Sequence, residues 1–294
     1  MGPLSPSASG FISLGAMVSS AAVGPYAPPA RRPAHIVDTL IEERAPKLSS
    51  SPVWPLVRPA LYALLDYRKA RAMADAIAPM GGRDAVEYVS ALLQVKVEVY
   101  GLQGLPRTGR CVIVANHPTG IADGIAVHDA LKHCRPDMVF YANSDAHRVS
   151  PRLSEVLIPV EWVEEKRTRE RTRLTLQMTK EALEAERALM IFPAGRLARR
   201  IDGVLTDKPW AASALSIARK YEAPVIPLHV TGPWATLFHL FDRVSGELRD
   251  ITLFHELLNK KGGRFSLIVG EPLDPAAIES IEALKHHVER VLPA

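Results

Sequence analysis

The sequence predicts an α/β domain with a largely parallel central sheet flanked by helices, preceded by an N-terminal helical pair and a disordered N-terminal tail. Two observations carry this prediction. From Val95 onward, segments with the two-residue period of strands alternate with segments of helical period, an order typical of parallel sheets. The 294 residues are also 47% hydrophobic and 23% charged, the composition of a globular domain with a large core.

The charge balance and the cysteine content narrow the class of protein. There are 36 basic and 32 acidic residues, a net charge of +4, which permits anionic partners without requiring nucleic acid; we expect no nucleic-acid partner. The cysteines, Cys111 and Cys134, have no zinc-ligand spacing, so we expect no metal. No run reaches the roughly 20 apolar residues of a transmembrane helix.

Composition divides the chain into three segments. Residues 1–35 are rich in Pro, Ser, Ala and Gly, which predicts a disordered tail. Its apolar stretch Phe11–Gly24 has no basic residue before it, so we do not interpret it as a signal peptide. Residues 36–94 form a helical region with a possible membrane contact, and residues 95–294 form the α/β domain.

Helical spacing of apolar residues predicts the helices of the N-terminal region. A short helix is expected at Ile36–Arg44, and after the proline-rich break Pro46–Pro55 two further helices are expected at Trp54–Ala78 and Asp84–Leu93. The Trp54–Ala78 helix either packs on the core or lies in a membrane interface, and both interpretations stay open. Its basic and amphipathic aromatic residues are Arg58, Arg68, Lys69, Arg71, Trp54, Tyr62 and Tyr67.

The strands that follow differ in their expected burial. Val95–Val99 alternates valines with charged residues and predicts a half-buried strand, whereas the continuous apolar run Arg110–Ala115 predicts a buried one. Two prolines in Pro224–Val230 predict an edge strand or an irregular start. Because ligands bind at the carboxyl ends of such strands, the loops after Ala115, Phe192 and Val230 are the places to look for chemistry. The remaining strands are expected at Met138–Tyr141, Ala188–Phe192 and Phe265–Gly270, and the helices at Glu170–Glu186, Trp210–Lys220 and Pro275–Val291.

The first of these loops contains Asn116, His117 and, after a further turn, Asp123. Pro118 and Gly120 interrupt a helix, so the loop can bring the carboxylate back to the imidazole. A carboxylate on one ring nitrogen fixes the tautomer and leaves the other nitrogen as a base for a hydroxyl proton. Spacing alone also allows Asp123 to cap the following helix beside a surface His117. A metal site that adds His128 lacks a third ligand of convincing spacing.

The second loop follows the apolar run that ends at Phe192. Proline and glycine after a buried strand predict a tight turn whose backbone N–H groups face the cleft. Three arginines beside it can hold a phosphate or a carboxylate; the alternative is a solvated basic loop. The turn residues are Phe192, Pro193 and Gly195, and the arginines are Arg196, Arg199 and Arg200.

Together and in this order, these residues resemble the glycerolipid acyltransferase superfamily, the phospholipid/glycerol acyltransferase domain. The family's first block matches Asn116, His117 and Asp123, its third block begins like Phe192–Gly195, and its fourth is similar to the apolar strand Val225–Pro227. The resemblance extends roughly from Val95 to Gly232. The second block, around Leu157–Val160, is weaker, and most of the charged run after it is interpreted as a solvated helix start.

Two departures from the family pattern point to one bacterial branch. Five residues separate His117 from Asp123, one more than the family usually has. Ala194, Arg196 and Leu197 stand where the third block usually has glutamate, threonine and arginine. The motifs Asn-His-Pro-x-Gly and Phe-Pro-Ala-Gly are similar to those of proteins named hemolysins and of acyltransferases that make ornithine lipids. Because the family's glutamate and arginine serve glycerol phosphate, the resemblance does not extend to glycerol 3-phosphate as acceptor.

The resemblance implies direct acyl transfer from acyl-CoA or acyl carrier protein to a hydroxyl of a lysophospholipid or other lyso-lipid, without a bound cofactor. It implies His117 as the base, Asp123 as its orienting partner, and a backbone donor near Gly195 for the oxyanion. It also implies a cytoplasmic enzyme held peripherally on the inner face of the cell membrane. An inactive lipid-binding module and a thioester or ester hydrolase remain as alternatives. The substrate contacts would come from Asn116, Phe192, Pro193, Gly195, Arg196, Arg199 and Arg200.

Overall fold

The computed structural model of the protein describes residues 34–161, 167–201 and 204–294. The predicted tail, residues 1–35, lies outside the described residues except for its last two positions, and the stretch Phe11–Gly24 lies wholly outside them.

A seven-stranded sheet with the order β1-β9-β8-β2-β5-β3-β4 forms the centre of the domain. All its neighbours are parallel except β8 and β9, which pair antiparallel. A separate antiparallel hairpin, β6–β7, follows β5 in the chain. The α/β class and the largely parallel sheet are therefore confirmed. The strands are β1 (Lys96–Tyr100), β2 (Cys111–Ala115), β3 (Val139–Asn143), β4 (Leu157–Val160), β5 (Ala188–Ile191), β6 (Arg199–Ile201), β7 (Val204–Thr206), β8 (Val225–Thr231) and β9 (Arg264–Val269).

Helices cover both faces of the sheet. The helices are α1 (Ile36–Arg44), α2 (Pro46–Ser49), α3 (Trp54–Leu64), α4 (Tyr67–Ile77), α5 (Gly82–Leu93), α6 (Ile121–Leu131), α7 (Asp145–Val149), α8 (Arg169–Glu184), α9 (Ser213–Lys220), α10 (Thr236–Asp242), α11 (Gly246–Asp250), α12 (Leu253–Leu258) and α13 (Ile281–His286). Alternate residues of β2 point to opposite sides: Ile113 packs with α1, α4, α5, α6 and α12, whereas Val112 and Val114 pack with α8, α9 and α13. This two-sided burial explains why β2 is a continuous apolar run rather than an alternating one.

The N-terminal region is more finely divided than the sequence predicts. Five described helices precede β1, not a pair, and the single helix expected over Trp54–Ala78 is broken into α3 and α4. At the break Asp66 has a φ of 54°, a left-handed conformation that aspartate tolerates better than most residues. Its carboxylate contacts Lys69 at 2.7 Å and His255 of α12 at 3.0 Å, so the turn is held by charge pairs on both sides.

The aromatic residues of this region are used inside the fold. Trp54 is buried, and the hydroxyls of Tyr62 and Tyr67 donate to the two oxygens of Asp38 at 2.9 and 2.7 Å. The two tyrosine rings also stack, with centroids 4.1 Å apart. The two tyrosines thus fasten α3 and α4 to α1, and the buried Trp54 packs against Tyr62.

Two expectations for the later elements need correction. Of the two alternatives for the proline-containing strand, the edge is wrong: β8 is central and pairs with β2 on one side and β9 on the other. Pro227 has no N–H to donate, but it lies opposite Gly270, just past the paired end of β9, and its carbonyl still accepts from Gly270 N–H at 2.8 Å. The closing helix begins only at Ile281, since Pro275 lies in a turn, and its last turn widens into a π-type turn over His287–Val291.

Among the described residues, none of the helices is long and apolar enough to cross a membrane.

Candidate active site

The carboxyl ends of β2, β5 and β8 meet at one edge of the sheet, as predicted. Asn116, the first residue after β2, is nearly buried, and its amide both donates to Val230 O (2.8 Å) and accepts from Val230 N (2.7 Å). These two bonds continue the pairing of β2 and β8 where the strands end. The Asn116 side chain thus holds the main chain of β8 and fixes the point where His117 leaves the sheet, while its substrate contact stays a prediction.

His117 is held by its main chain and by its ring. Its N–H donates to both oxygens of Asp207, at 3.1 and 3.2 Å, and its carbonyl accepts from Ala198 N–H at 2.9 Å. The imidazole stacks on the ring of Phe192, with centroids 4.4 Å apart and planes 28° from parallel. Phe192 is itself buried, and its ring packs against the imidazole of His117. The His117 side chain keeps 15% of its surface exposed.

Asp123 lies in the first turn of α6 and is fully buried. Its Oδ1 accepts from the Thr119 hydroxyl at 2.5 Å, and its Oδ2 accepts from the N–H groups of Thr119 and Gly120 at 2.9 and 3.1 Å. The carboxylate therefore caps α6, one of the two alternatives that the spacing left open. The same Oδ2 lies 2.9 Å from Nδ1 of His117, so the carboxylate both caps the helix and contacts the imidazole.

The contact between His117 and Asp123 is short but not linear. Although the two atoms lie 2.9 Å apart, Nδ1 has no well-aligned hydrogen-bond partner among the described residues. The structure therefore shows a close contact between the imidazole and the carboxylate and not an aligned hydrogen bond. A carboxylate beside Nδ1 favours a proton there and leaves Nε2 to accept one from a substrate.

The glycine in this loop is needed for its path. Gly120 has a φ of 95°, and a Cβ at this position would lie 3.2 Å from Cδ1 of Leu197. Leu197, buried behind the third block, therefore packs against the loop that returns Asp123 to His117. This contact joins the two blocks whose order suggested the family.

The turn after β5 is tight, as predicted, and one of its N–H groups serves the turn itself. Gly195 has a φ of 59°, and its N–H donates to Phe192 O at 3.0 Å. Pro193 is buried, and its carbonyl accepts from Ala211 N–H at 3.0 Å. A backbone donor near Gly195 for the oxyanion, and substrate contacts from this turn, stay predictions.

The three arginines have different surroundings. Arg199 forms an ion pair with Asp242 and lies over the ring of Phe238, 5.4 Å from its centroid. Arg200 is exposed and lies 5.0 Å from the ring centroid of Trp234. Arg196 is exposed, and no carboxylate of the described part of the chain lies within ion-pair distance of it or of Arg200. Arg199 is thus used by the fold, while Arg196 and Arg200 remain for an anion.

The sequence-based search missed Lys208, which joins this basic cluster. Burial, together with the charges of Arg199, Arg196 and Arg249, lowers the pKa of Lys208. Lys208 has no carboxylate partner within ion-pair distance among the described residues. It follows a hairpin without its own motif, so the sequence carried no signal for it.

A second missed residue, Asp207, lies beneath the His117 main chain. The side chain is 2% exposed, and its Oδ2 also accepts from Trp210 Nε1 at 2.8 Å. Burial raises the pKa of Asp207 to about 6. Ninety residues separate it from His117, so spacing could not connect the two.

The metal alternative is not supported by the geometry. His128 does not join His117 and Asp123: its Nε2 lies 2.9 Å from Glu87 of α5. The ligand atoms of Glu87, His128 and Asp129 do lie within 4.8 Å of one another. However, the Lys132 ammonium already contacts Glu87 at 2.7 Å and Asp129 at 3.1 Å. A concave surface beside this cluster and another at Arg219 and Asp274 include no residue of the His117 site.

At the carboxyl edge of a mainly parallel sheet, a histidine lies beside a buried carboxylate, an arrangement that suits an α/β enzyme. Residues 96–231 match the family described as Acyltransferase. This match covers the region whose motifs resemble the glycerolipid acyltransferase superfamily.

Several known proteins are similar to this chain. A lyso-glycine lipid O-acyltransferase of Phocaeicola vulgatus is 27% identical over 202 residues, which cover 65% of this chain and 69% of the relative. One of the same name from Bacteroides thetaiotaomicron is 25% identical over 198 residues, 65% of this chain and 71% of the relative. The crystal structure of the 1-acyl-sn-glycerophosphate (LPA) acyltransferase PlsC from Thermotoga maritima aligns over 88% of this chain and 92% of that chain, with a TM-score of 0.44 and 18% identity.

Proposed function

We propose that this protein is an O-acyltransferase that moves a fatty acyl group from a thioester donor to a hydroxyl of a lyso-lipid. The observation that supports this most strongly is the imidazole of His117 beside the buried carboxylate of Asp123, 2.9 Å away, within the matched region 96–231. The relatives named as lipid O-acyltransferases support the same reaction class.

In the proposed reaction, Nε2 of His117 takes the proton of the acceptor hydroxyl while its oxygen attacks the thioester carbonyl carbon. The tetrahedral intermediate collapses, the C–S bond breaks, and the thiolate takes the proton from the imidazolium. The products are an ester and a free thiol. Asp123 stabilises the imidazolium, and the stacked Phe192 ring limits how far the imidazole can turn. A positioned base of this kind contributes about 10²–10⁴-fold to the rate.

The acceptor in our proposal is a lyso-lipid with an anionic head group, and an amino-acid lipid such as a lyso-glycine lipid is the first to test. Two relatives carry that name. The positive potential around Arg196, Arg200 and Lys208 supports an anion-binding role beside His117. A carboxylate and a phosphate share the charge that such a cluster recognises.

We also propose that α3 contacts the membrane surface from which the acceptor is taken. From Pro52 to Leu64 its exposed residues are apolar apart from Arg58, and Leu56 is 81% exposed. A continuous apolar face left in water is typical of a docking surface. Arg68, Lys69 and Arg71 follow in α4, which suits anionic lipid. The donor in this proposal is acyl-CoA or acyl carrier protein in the cytoplasm.

The test is acyl transfer by the purified protein, with acyl-CoA and acyl carrier protein as donors. Each donor is incubated with lyso-glycine lipid, with lysophosphatidic acid, or without acceptor. We expect thiol release that requires a lyso-lipid, with a new ester as product. Thiol release without acceptor would indicate a hydrolase instead, and lipid binding without thiol release would indicate an inactive module.

A further inference from the structure

Asp207 is a buried ionisable group that the reaction described above does not use. It lies in the segment between the hairpin β6–β7 and α9, and only 2% of it is exposed. Both of its carboxylate oxygens point at the main-chain N–H of His117, at 3.1 and 3.2 Å. The histidine proposed as base therefore has a carboxylate on each side, Asp123 at its ring and Asp207 at its main chain.

The surroundings of Asp207 hold it in one place. Its Oδ2 accepts from Trp210 Nε1 at 2.8 Å, and its own N–H donates to Oε1 of Glu289 at 2.7 Å. The second oxygen of Glu289 accepts from Lys285 at 2.8 Å. Asp207 thereby links His117 to the C-terminal segment of the chain. Because these hydrogen bonds to Trp210 and Glu289 hold Asp207 in place, Asp207 can in turn hold the main chain of His117.

We infer that Asp207 is a positioning residue for acyl transfer, which sets the place of the His117 imidazole through the main chain and whose negative charge supports the imidazolium. This inference rests on the proposed function. Asp207 does not touch the substrate in this role. It acts through His117, in series with the contact that Asp123 makes to Nδ1.

A purely structural role explains the choice of aspartate less well. Burial disfavours the charged form and raises the pKa of Asp207 to about 6, so at neutral pH the fold holds a charge that it disfavours. A neutral acceptor would satisfy the same two N–H groups without that cost. The groups that face the carboxylate are His117, Trp210 and Glu289, and His117 is the one that gains a charge in the reaction.

The variant that tests this is Asp207→Asn. An amide oxygen in the place of Oδ2 keeps the bond to Trp210, but the NH2 group then faces the His117 N–H at the 3.1 Å position of Oδ1. The charge is lost and the main-chain anchor is weakened. The matched control is Asp274→Asn, because Asp274 accepts from the main-chain N–H of Ala276 at 2.8 Å, next to Leu273, which pairs with Val225 at the amino end of β8, on the opposite edge of the sheet.

We expect Asp207→Asn to lower kcat by about 10- to 10²-fold, as a displaced catalytic group does, with KM for acceptor and donor within about twofold of wild type. The acid limb of the pH profile of kcat should move to lower pH, because a negative charge that favours the protonated base is removed. Asp274→Asn should leave both quantities unchanged. An unmoved acid limb, or a loss of kcat that only follows the unfolded fraction, would overturn the inference.

A second measurement needs neither the Asp207 variant nor acyl transfer. In His117→Ala the main-chain N–H at position 117 still faces Asp207, and no imidazole titrates there. We expect the NMR shift of that amide proton to change with pH as Asp207 titrates, with a midpoint at or above about 6, because the imidazole that lowers the pKa of Asp207 is absent. An amide shift that does not titrate would contradict the anchor. Absence of acyl transfer in the wild-type protein, with this titration present, would refute the proposed function alone.

Discussion

At the scale of residues, the site depends on donors that satisfy a buried charge. Asp123 is fully buried and receives three hydrogen bonds from Thr119 and Gly120 before it meets His117. This set explains why a carboxylate can remain beside the imidazole without access to water. His117 and Asp123 could be paired from sequence because both lie in one loop. Thr119 and Asp207 could not, since their roles depend on where the chain turns.

Replacement of Asp123 by asparagine tests the orienting role of the carboxylate. We expect Asp123→Asn to lower kcat about 10²-fold or more, because an amide cannot stabilise the imidazolium. The variant should also lose about 1–3 kcal/mol of stability, since its NH2 group faces Thr119 or Gly120 donors. Activity is measured well below the unfolding temperature, with Asp129→Asn on the same helix as control. Wild-type turnover in Asp123→Asn would leave His117 without this partner.

Removal of charge at the basic cluster tests substrate binding. We expect Arg196→Gln combined with Lys208→Gln to raise KM for the anionic substrate roughly 10-fold or more, with a smaller effect on kcat. The dependence of KM on salt should weaken in the same variant. Arg107→Gln is the control, because Arg107 is exposed near the amino end of β2, at the opposite edge of the sheet. Equal salt dependence in variant and wild type would show that the cluster is only solvated.

At the scale of elements, the hydrophobic pattern of the sequence predicted the strands reliably and the ends of the elements less reliably. The bounds predicted for α1 are those observed, and β2 and β5 each differ by one residue, because a buried strand or a capped helix is specified by its own residues. The break between α3 and α4 depends on Asp66 meeting Lys69 and His255, the latter from a distant helix. The central place of β8 likewise depends on β9, which pairs with it antiparallel. Such partners lie far along the chain and leave no local signal.

The exposed face of α3 provides a test at this scale. We expect Leu56→Asp to weaken binding to anionic vesicles about 10-fold or more, because burying a leucine contributes about 1.5–3 kcal/mol. Its thermal stability should not change, since the side chain is 81% exposed. Leu176→Asp is the matched control, an exposed leucine on α8 that is 56% exposed. Equal losses in both variants, or none in either, would argue against docking through α3.

At the scale of the whole molecule, the sheet gathers residues from distant parts of the chain at one edge. Loops after β2, β5 and β8, the hairpin β6–β7 and the C-terminal segment all reach His117 or its direct contacts. The C-terminal segment does so through Glu289, which accepts from Asp207 N–H. The stability of the fold and the geometry of the site are therefore linked.

The burial of Asp207 predicts how the free energy of unfolding depends on pH. The pKa of Asp207 is raised in the folded protein from 3.8 to about 6, so the folded state binds the proton more tightly than the unfolded state. Below the pKa of 3.8 that Asp207 has in the unfolded chain, the extra stability that this proton gives the folded state is fully present. That stability is lost as the pH rises through about 6. Relative to wild type, Asp207→Asn should therefore gain roughly 2 kcal/mol between pH 4 and pH 7. Denaturant unfolding at both pH values measures this, and a constant difference would contradict it.

The central claim is that His117 is the base for acyl transfer to a lipid hydroxyl. The most direct measurement is the initial rate of ester formation by purified wild-type protein and His117→Ala, with the same thioester donor and lyso-lipid and with unfolding curves measured alongside. Because the ring is 15% exposed and lies in a loop, we expect the variant to remain folded. Its rate should fall by about 10²–10⁴-fold. A folded His117→Ala protein that forms the ester at close to the wild-type rate would contradict the account.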